Sequence, residues 1–225
     1  MNTIVISLGG SVIVPDTIDI DYLTDFRELI EEKVKEGDKR FIIVCGGGST
    51  ARIYQNAAVT LGITDEVDLD WIGIMSSRVN GELVRSSFGK EAYPYLIKNP
   101  FEDLKIEEKI IIAAGYQPGS STDLRAVQFA KKYGSDCVIN ISNIDSLYSK
   151  DPSKYSDAFA INDISWKDFK ILVGNSWSPG MKVPFDPIAS QEAQQNGQKV
   201  IIVGKDIENI KKVVNGEDFV GTTIF

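Results

Sequence analysis

Cys45-Gly46-Gly47-Gly48-Ser49-Thr50-Ala51-Arg52 is the stretch around which this chain is organised. It follows directly on Phe41-Ile42-Ile43-Val44, a β-branched apolar run short enough to be a buried strand. Behind it, Ala51 to Leu61 reads as a helix with Ile53, Ala57, Ala58 and Leu61 on one face. Strand, three glycines and helix make a geometry in which backbone N–H groups and a helix N-terminus converge on an anion. Arg52 adds a permanent positive charge suited to phosphate oxygens. Taken alone, the stretch also admits the lesser reading of an ordinary tight turn from strand to helix, so the rest of the chain must decide.

With 225 residues, 43% hydrophobic and 25% charged, the chain can bury a full core as one large α/β domain or two intimate lobes. A net charge of −8 argues against broad nucleic-acid binding, yet a few cations inside a cleft suffice for a nucleotide. The longest apolar runs, such as Ile110 to Ala114, are far too short to span a bilayer. The first residues enter a strand pattern at once without a secretory signal, so a cytoplasmic protein without membrane partners is expected. Cys45 and Cys137 lie inside strand-like runs and read as core thiols. There is no histidine, which removes the Ser-His-Asp and Cys-His schemes and the usual zinc sites. Chemistry must therefore run on lysine, arginine, carboxylates, backbone amides and a metal ion carried in with substrate.

Along the chain, Thr3 to Leu8 is a buried-strand pattern that breaks at Gly9-Gly10-Ser11, a second junction able to offer amides to phosphate. Asp21 to Glu36 is an amphipathic helix closed by Gly37. Gly62 to Asp70 reads as an acidic solvated loop and cap, with Asp70 opening a helix from Trp71 to Phe88. That helix would bury Ile72, Met75, Val79 and Leu83, leaving Arg78 and Arg85 to surface salt bridges. Strands are expected at Tyr93–Ile97 and Lys109–Ala113, the second running into a glycine- and hydroxyl-rich loop over 114–123. Such loops follow parallel strands at the carboxyl edge of an open sheet, where ligands collect. A helix over Leu124–Tyr133, a strand over Asp136–Ile141 and a short helix over Ser165–Val173 follow. Gly174 to Pro184, which contains Lys182, reads as a loop. Helices over Asp186–Asn196 and Ile207–Val214 and strands over Lys199–Val203 and Phe219–Ile224 complete the pattern. Strands alternating with helices throughout predict a three-layer αβα sandwich around an open, mostly parallel sheet.

Four motifs recur in one order: Ser7-Leu8-Gly9-Gly10-Ser11; Gly46-Gly47-Gly48-Ser49-Thr50-Ala51-Arg52; Gln117-Pro118-Gly119-Ser120-Ser121-Thr122-Asp123; and Asn143-Ile144-Asp145-Ser146-Leu147-Tyr148-Ser149-Lys150-Asp151-Pro152. Together they resemble the amino acid kinase superfamily, and within it the compact archaeal-type uridylate (UMP) kinases. The resemblance runs from the first strand to the closing Gly221-Thr222-Thr223-Ile224. It implies transfer of the ATP γ-phosphoryl group to UMP in pyrimidine nucleotide synthesis. It also implies Mg²⁺ held mainly by the nucleotide phosphates, and a homohexamer. A single domain over 1–225 is implied, with an acceptor-binding part over roughly 1–135 and an ATP-binding part over roughly 136–225 plus the first glycine loop.

Residue by residue, the resemblance places ATP over Ser7, Leu8, Gly9, Gly10 and Ser11, with Gly48 and Arg52 near the transferring phosphate. Its adenine end would lie against Ser142, Asn143, Tyr148 and Asp151. UMP would sit on Gly47, with Asp70 near its sugar and Tyr116, Gln117, Pro118, Gly119, Ser120, Ser121 and Thr122 wrapping the other side. Asp123 matches an aspartate that orients cationic groups around the reacting phosphates in relatives. Many relatives carry a lysine where this chain has Ser7, so the missing cation must come from elsewhere, with Arg52 the first candidate and Lys182 the second. Ser146 likewise stands where relatives usually have glycine. Two other readings stay open: a kinase of the same fold for another small acceptor, and a nucleotide-binding storage or regulatory protein without turnover. Turnover across a panel of acceptors separates all three.

Overall fold

The computed structural model describes residues 2–150, 154–173 and 184–225. Its strands and helices alternate: β1 (Asn2–Leu8), α1 (Gly10–Ile13), α2 (Ile20–Lys35), β2 (Lys39–Cys45), α3 (Gly48–Thr60), α4 (Glu66–Phe88), β3 (Ile110–Ala113) and α5 (Thr122–Lys132). Then come β4 (Cys137–Ile141), β5 (Leu147–Tyr148), β6 (Ala160–Ile161), β7 (Asp163–Ile164), α6 (Trp166–Val173), α7 (Pro187–Gln195), β8 (Lys199–Val203), α8 (Ile207–Asn215) and β9 (Thr222–Ile224). Seven strands form the main sheet in the order β3-β2-β1-β4-β8-β9-β7. All neighbours run parallel except β8 and β9.

Alternation along each central strand builds two cores. Ile6, Ile43, Ile112 and Ile139 face one way, against Phe26 and Ile30 of α2, Val84 and Phe88 of α4, and Ile210 and Val213 of α8. Val5, Ile42, Ile111 and Val138 face the other, against Phe129 of α5, Phe169 of α6 and Ala189 and Ala193 of α7. A sheet covered on both faces has no solvated side, which is why its strands read as continuous apolar runs. Among the described residues, no helix is long and apolar enough to cross a membrane.

The chain leaves β1 toward β2 and β3 on one side, then crosses to place β4 and β8 on the other. The strand order therefore reverses between β1 and β4, and the loops at their carboxyl ends splay apart there, where ligands bind in open α/β sheets. In the β1–β2 register Leu8 is level with Cys45, so the two glycine loops leave the sheet side by side. They touch backbone to backbone. A Cβ on Gly10 would stand 2.6 Å from the Gly46 carbonyl carbon and the Gly47 nitrogen, and one on Gly46 would stand 2.5 Å from the Gly10 nitrogen. Gly48 opens α3 at φ +62°, a conformation that glycine adopts without the cost a side chain would carry.

Several expectations need correction. Tyr93–Ile97 is not a strand: it meets β3 only through isolated bridges at Ala92 and Ile97, because Pro94 interrupts the segment and has no N–H to donate. The helix read as starting after Asp70 starts at Glu66, where the Asp65 carboxylate accepts from the Val67 amide at 2.8 Å. Glu66 and Asp68 thus occupy its first turn, where the helix dipole favours negative charge. Of the expected apolar faces of α3 and α4, Ala58 is buried and Ile72 half-buried, but the other large side chains point outward. Ile53 and Leu61 are exposed, as are Met75 (54%) and Val79 (64%), while Ile74, Ser77, Gly81, Val84 and Phe88 face the sheet. The two-residue strands β5, β6 and β7 and the single turn α1 carry no periodic signal and were not expected.

Candidate active site

The carboxyl edge at the β1–β4 reversal gathers residues from four elements. Ser7 on β1 is level with Asn140 on β4. Above them, Asp123 stands in the first turn of α5, capped by Ser121, whose hydroxyl accepts from the Leu124 amide at 3.2 Å. Ser7 Oγ donates to Asp123 Oδ1 at 2.7 Å and Asn140 Nδ2 donates to the same oxygen at 2.9 Å. The Asp186 amide donates to Asp123 Oδ2 at 3.3 Å. Asp186 in turn caps α7, its Oδ1 accepting from the Ala189 amide at 2.7 Å. Burial, opposed by the Ser7 hydrogen bond and reinforced by the Asp186 charge, pushes the Asp123 carboxyl up to about 6. Burial likewise raises the Asp186 carboxyl. Asp123 was among the residues anticipated. Asn140 and Asp186 were not, although an amide inside the run Val138-Ile139-Asn140-Ile141 was a readable anomaly.

The second glycine loop is fastened from α4. Asn80, buried, donates from Nδ2 to the carbonyls of Gly46 and Gly47 at 2.8 and 3.0 Å. At the start of α3 the Ser49 amide donates to the Val14 carbonyl at 3.0 Å and the Ala51 amide to the Gly47 carbonyl at 3.2 Å, which leaves the Gly47, Gly48 and Thr50 amides beside the first glycine loop. Arg52, one turn into α3, is exposed, and its Nη2 donates to the Pro15 carbonyl at 3.3 Å. Among the described residues no carboxylate forms a salt bridge with it, so its charge is available to an anion.

The loop over 114–121 is moored to the same helix. Arg78 Nε donates to the Gly115 carbonyl at 3.1 Å and its Nη2 to the Tyr116 carbonyl at 3.0 Å. Ser77 Oγ accepts from the Gly115 amide at 3.0 Å. Arg78 is thus no surface salt bridge, although Arg85 is one, paired with Glu82. Asp70 lies inside α4 rather than at its start, and its Oδ2 accepts from the Gly119 amide at 2.7 Å. Burial raises the Asp70 carboxyl, the Gly119 amide opposing it. Within the loop Ser120 Oγ donates to the Gln117 carbonyl at 2.8 Å, and the Arg125 guanidinium bonds Ser120 and stacks 5.4 Å over the Tyr116 ring. Pro118 and Thr122 complete this wall.

At the end of β4, Ser142 Oγ accepts from the Ile144 amide at 3.3 Å, and Asn143 is exposed beside it. Tyr148 belongs to the β5–β6 hairpin, tied to β9 by the Leu147 amide donating to Thr222 Oγ1 at 2.8 Å. Ser11 lies in α1, Gly9 donates its amide to the Ile141 carbonyl at 2.8 Å, and Leu8 buries its side chain in the core, leaving only its backbone to the edge. Asp151 and Lys182 lie outside the described residues. The arrangement is an anion cleft. Two glycine loops are in contact, Arg52 stands exposed on one side with no salt bridge among the described residues, and an acidic pair closes the floor.

This chain matches the profile of the amino acid kinase family over residues 2–204. It is 36% identical to the uridylate kinase of Thermoplasma volcanium, over 99% of this chain and 97% of that protein. It is 33% identical to the uridylate kinase of Pyrococcus abyssi, with 98% of each covered. The crystal structure of uridylate kinase from Archaeoglobus fulgidus superposes with a TM-score of 0.84 at 30% identity, covering 100% of both chains.

The Asp123 carboxyl sets a stability test. Its folded value lies above that of a free carboxyl, so it favours the fold most when protonated in both states, and that favour is lost as pH rises through about 6. Asp123→Asn removes the buried charge, so the ligand-free variant is expected to melt higher than the parent at pH 8. The gap should narrow as pH falls through 6 toward 4. A thermal melt series in which the variant melts lower at pH 8 would contradict this.

Proposed function

The chain belongs to the amino acid kinase family, and from that premise we propose that it is a uridylate kinase, transferring the γ-phosphoryl group of ATP to UMP to give ADP and UDP. The observation that carries the proposal is the contact between the two glycine loops. It allows two phosphate chains, each on its own loop, to meet end to end. ATP is assigned to the first loop, from Ser7 to Ser11, with its adenosine toward Ser142, Asn143 and the β5–β6 hairpin. UMP is assigned to Gly47, with Gly48 and Arg52 at the transferring phosphate of ATP, its sugar at Asp70 and its base along residues 116–122. On this reading β1–β3 and their loops form the acceptor-binding part, and β4–β9 with the first glycine loop form the ATP-binding part of one domain.

The acceptor phosphate is mostly dianionic at neutral pH, its second pKa being about 6. Its oxygen can therefore attack without a general base, which suits a chain without histidine. Catalysis reduces to alignment of two polyanions and neutralisation of the moving charge. The Gly47, Gly48 and Thr50 amides at the N-terminus of α3 would hold the phosphates, with the Gly46 and Gly47 carbonyls fixed by Asn80. Arg52 approaches from the α3 side, where a guanidinium can bond two phosphate oxygens at once. Mg²⁺ bound to the nucleotide would supply the remaining countercharge. Among the described residues Asp123 pairs with no lysine; it bonds the Ser7 and Asn140 side chains under the first loop.

The outward stripe of Trp71, Met75, Val79 and Leu83 on α4, with Ile53 and Tyr54 on α3, is assigned to a second copy of the chain. One apolar helix face meeting itself across a two-fold axis is self-complementary, and repetition of such contacts would build the hexamer the resemblance implies.

Release of ADP from Mg-ATP, measured with UMP, CMP, dUMP, AMP, acetylglutamate, aspartate and isopentenyl phosphate, tests the assignment. Turnover with UMP at roughly 1–100 s⁻¹ is expected; turnover only with a non-nucleotide acceptor would overturn it. Arg52→Ala should lower kcat by the equivalent of about 3–4 kcal/mol in the barrier, and near-normal turnover would remove Arg52 from the mechanism. Val79→Glu should dissociate the assembly in light scattering while leaving the fold intact. An unchanged mass would assign the stripe elsewhere.

A further inference from the structure

Behind the wall over 116–121 stands a buried cation that the proposed chemistry does not use. Arg125, on α5, is 2% exposed, and its α5 neighbours Leu124, Val127 and Phe129 belong to the apolar core. Among the described residues no carboxylate forms a salt bridge with it. Its Nη1 donates to Gln128 Oε1 at 2.6 Å, and Gln128 Nε2 donates in turn to Glu192 of α7 at 3.3 Å. Its Nε has no hydrogen-bond partner. Burial lowers the guanidinium pKa, with the Glu192 charge opposing. A charge so placed weakens the fold, and an apolar side chain of similar size would suit the position better. The remaining contacts of Arg125 converge on one loop. Its Nη2 donates to the Ser120 hydroxyl, which itself bonds the Gln117 carbonyl, and the guanidinium stacks on the Tyr116 ring.

Arg78 holds the backbone of the same loop from α4, through the Gly115 and Tyr116 carbonyls. Helices α4 and α5 cover opposite faces of the sheet, so the two arginines grip the loop from both sides. Tyr116 also lines a cavity of about 430 Å³ together with Arg78, Tyr93 and Tyr95. The ring therefore has room to turn away, and its stack on Arg125 opposes that turn. We propose that Arg125 is a positioning residue for the acceptor nucleotide, keeping the Tyr116 ring and the Ser120 hydroxyl in place as the wall for its base without touching substrate. A planar guanidinium can stack on the ring and direct an N–H at Ser120 together, whereas the ammonium of a lysine is a compact point charge. Stability is given up for a wall that stands ready before the ligand arrives. The inference rests on reading residues 116–122 as the acceptor's wall.

Arg125→Met, close in length and apolar, is the first variant to measure. Its KM for UMP should rise about tenfold while kcat and the KM for ATP stay within about twofold, the signature of lost acceptor binding without lost chemistry. Without ligand it should melt no lower than the parent. Arg125→Lys should show the raised KM as well, despite its charge, and it decides the matter if the methionine variant fails to fold. Tyr116→Leu should also raise the KM, and adding Arg125→Met to it should raise it little further, because the arginine acts through the ring. A KM for UMP unchanged in both Arg125 variants would overturn the role, as would a rise shared by ATP and accompanied by a lower melting temperature. In either case UMP turnover by the parent keeps the kinase reading standing. A parent that neither binds nor turns over UMP would overturn both.

Discussion

The cleft depends on one contact: the backbone of Gly10 lies directly against that of Gly46, Gly47 and Gly48. No side chain fits between the two loops, so the backbones that follow β1 and β2 are brought as close as two backbones can approach. The contact follows from the sheet. Parallel pairing with Leu8 level with Cys45 delivers both loops to the same height, and α3 starts where the second loop ends. A glycine in each loop is needed for proximity more than for turn geometry, which distinguishes this pair from two ordinary strand-to-helix turns.

Helix α4 is the second organising element, and it does three things at once. Its inner face packs Val84 and Phe88 on the sheet. Its polar residues Asp70, Ser77, Arg78 and Asn80 hold both the second glycine loop and the loop over 114–121. Its outer face is apolar and open. The apolar outer face thus lies one helix radius from the groups that moor the two loops. The acidic floor shows the opposite economy. Asp123 and Asp186 are buried close together at a cost to the stability of the ligand-free protein, as functional sites often are.

Much of the fold was legible because the sheet is buried on both faces. Runs such as Phe41–Val44 and Lys199–Val203 announce themselves without alternation, and the glycine junctions mark their carboxyl ends. The faces of α3 and α4 were misread for a physical reason. Helical periodicity identifies an apolar stripe but not what covers it, and here the stripe carrying Met75 and Val79 points away from the sheet. Tyr93–Ile97 had the composition of a strand, yet one proline removes the donor that pairing needs. In the site, the glycine loops, Arg52 and Asp123 could be found from motif and charge. Asn80 and Arg78 could not, since they act on backbone groups of loops far away in the chain; Asp186 was legible only as a helix start, because its bond to Asp123 joins residues distant in sequence.

The central claim is that two phosphate chains meet end to end across the two glycine loops. Calorimetric titration with a bisubstrate analogue, adenosine and uridine joined through a pentaphosphate, tests it most directly. Linking both ligands makes the second binding event intramolecular, so affinity should exceed that of UMP or ATP alone by about 10²–10⁴-fold. An analogue that binds no better than the tighter of the two separate nucleotides would mean that the loops do not hold the two chains in line.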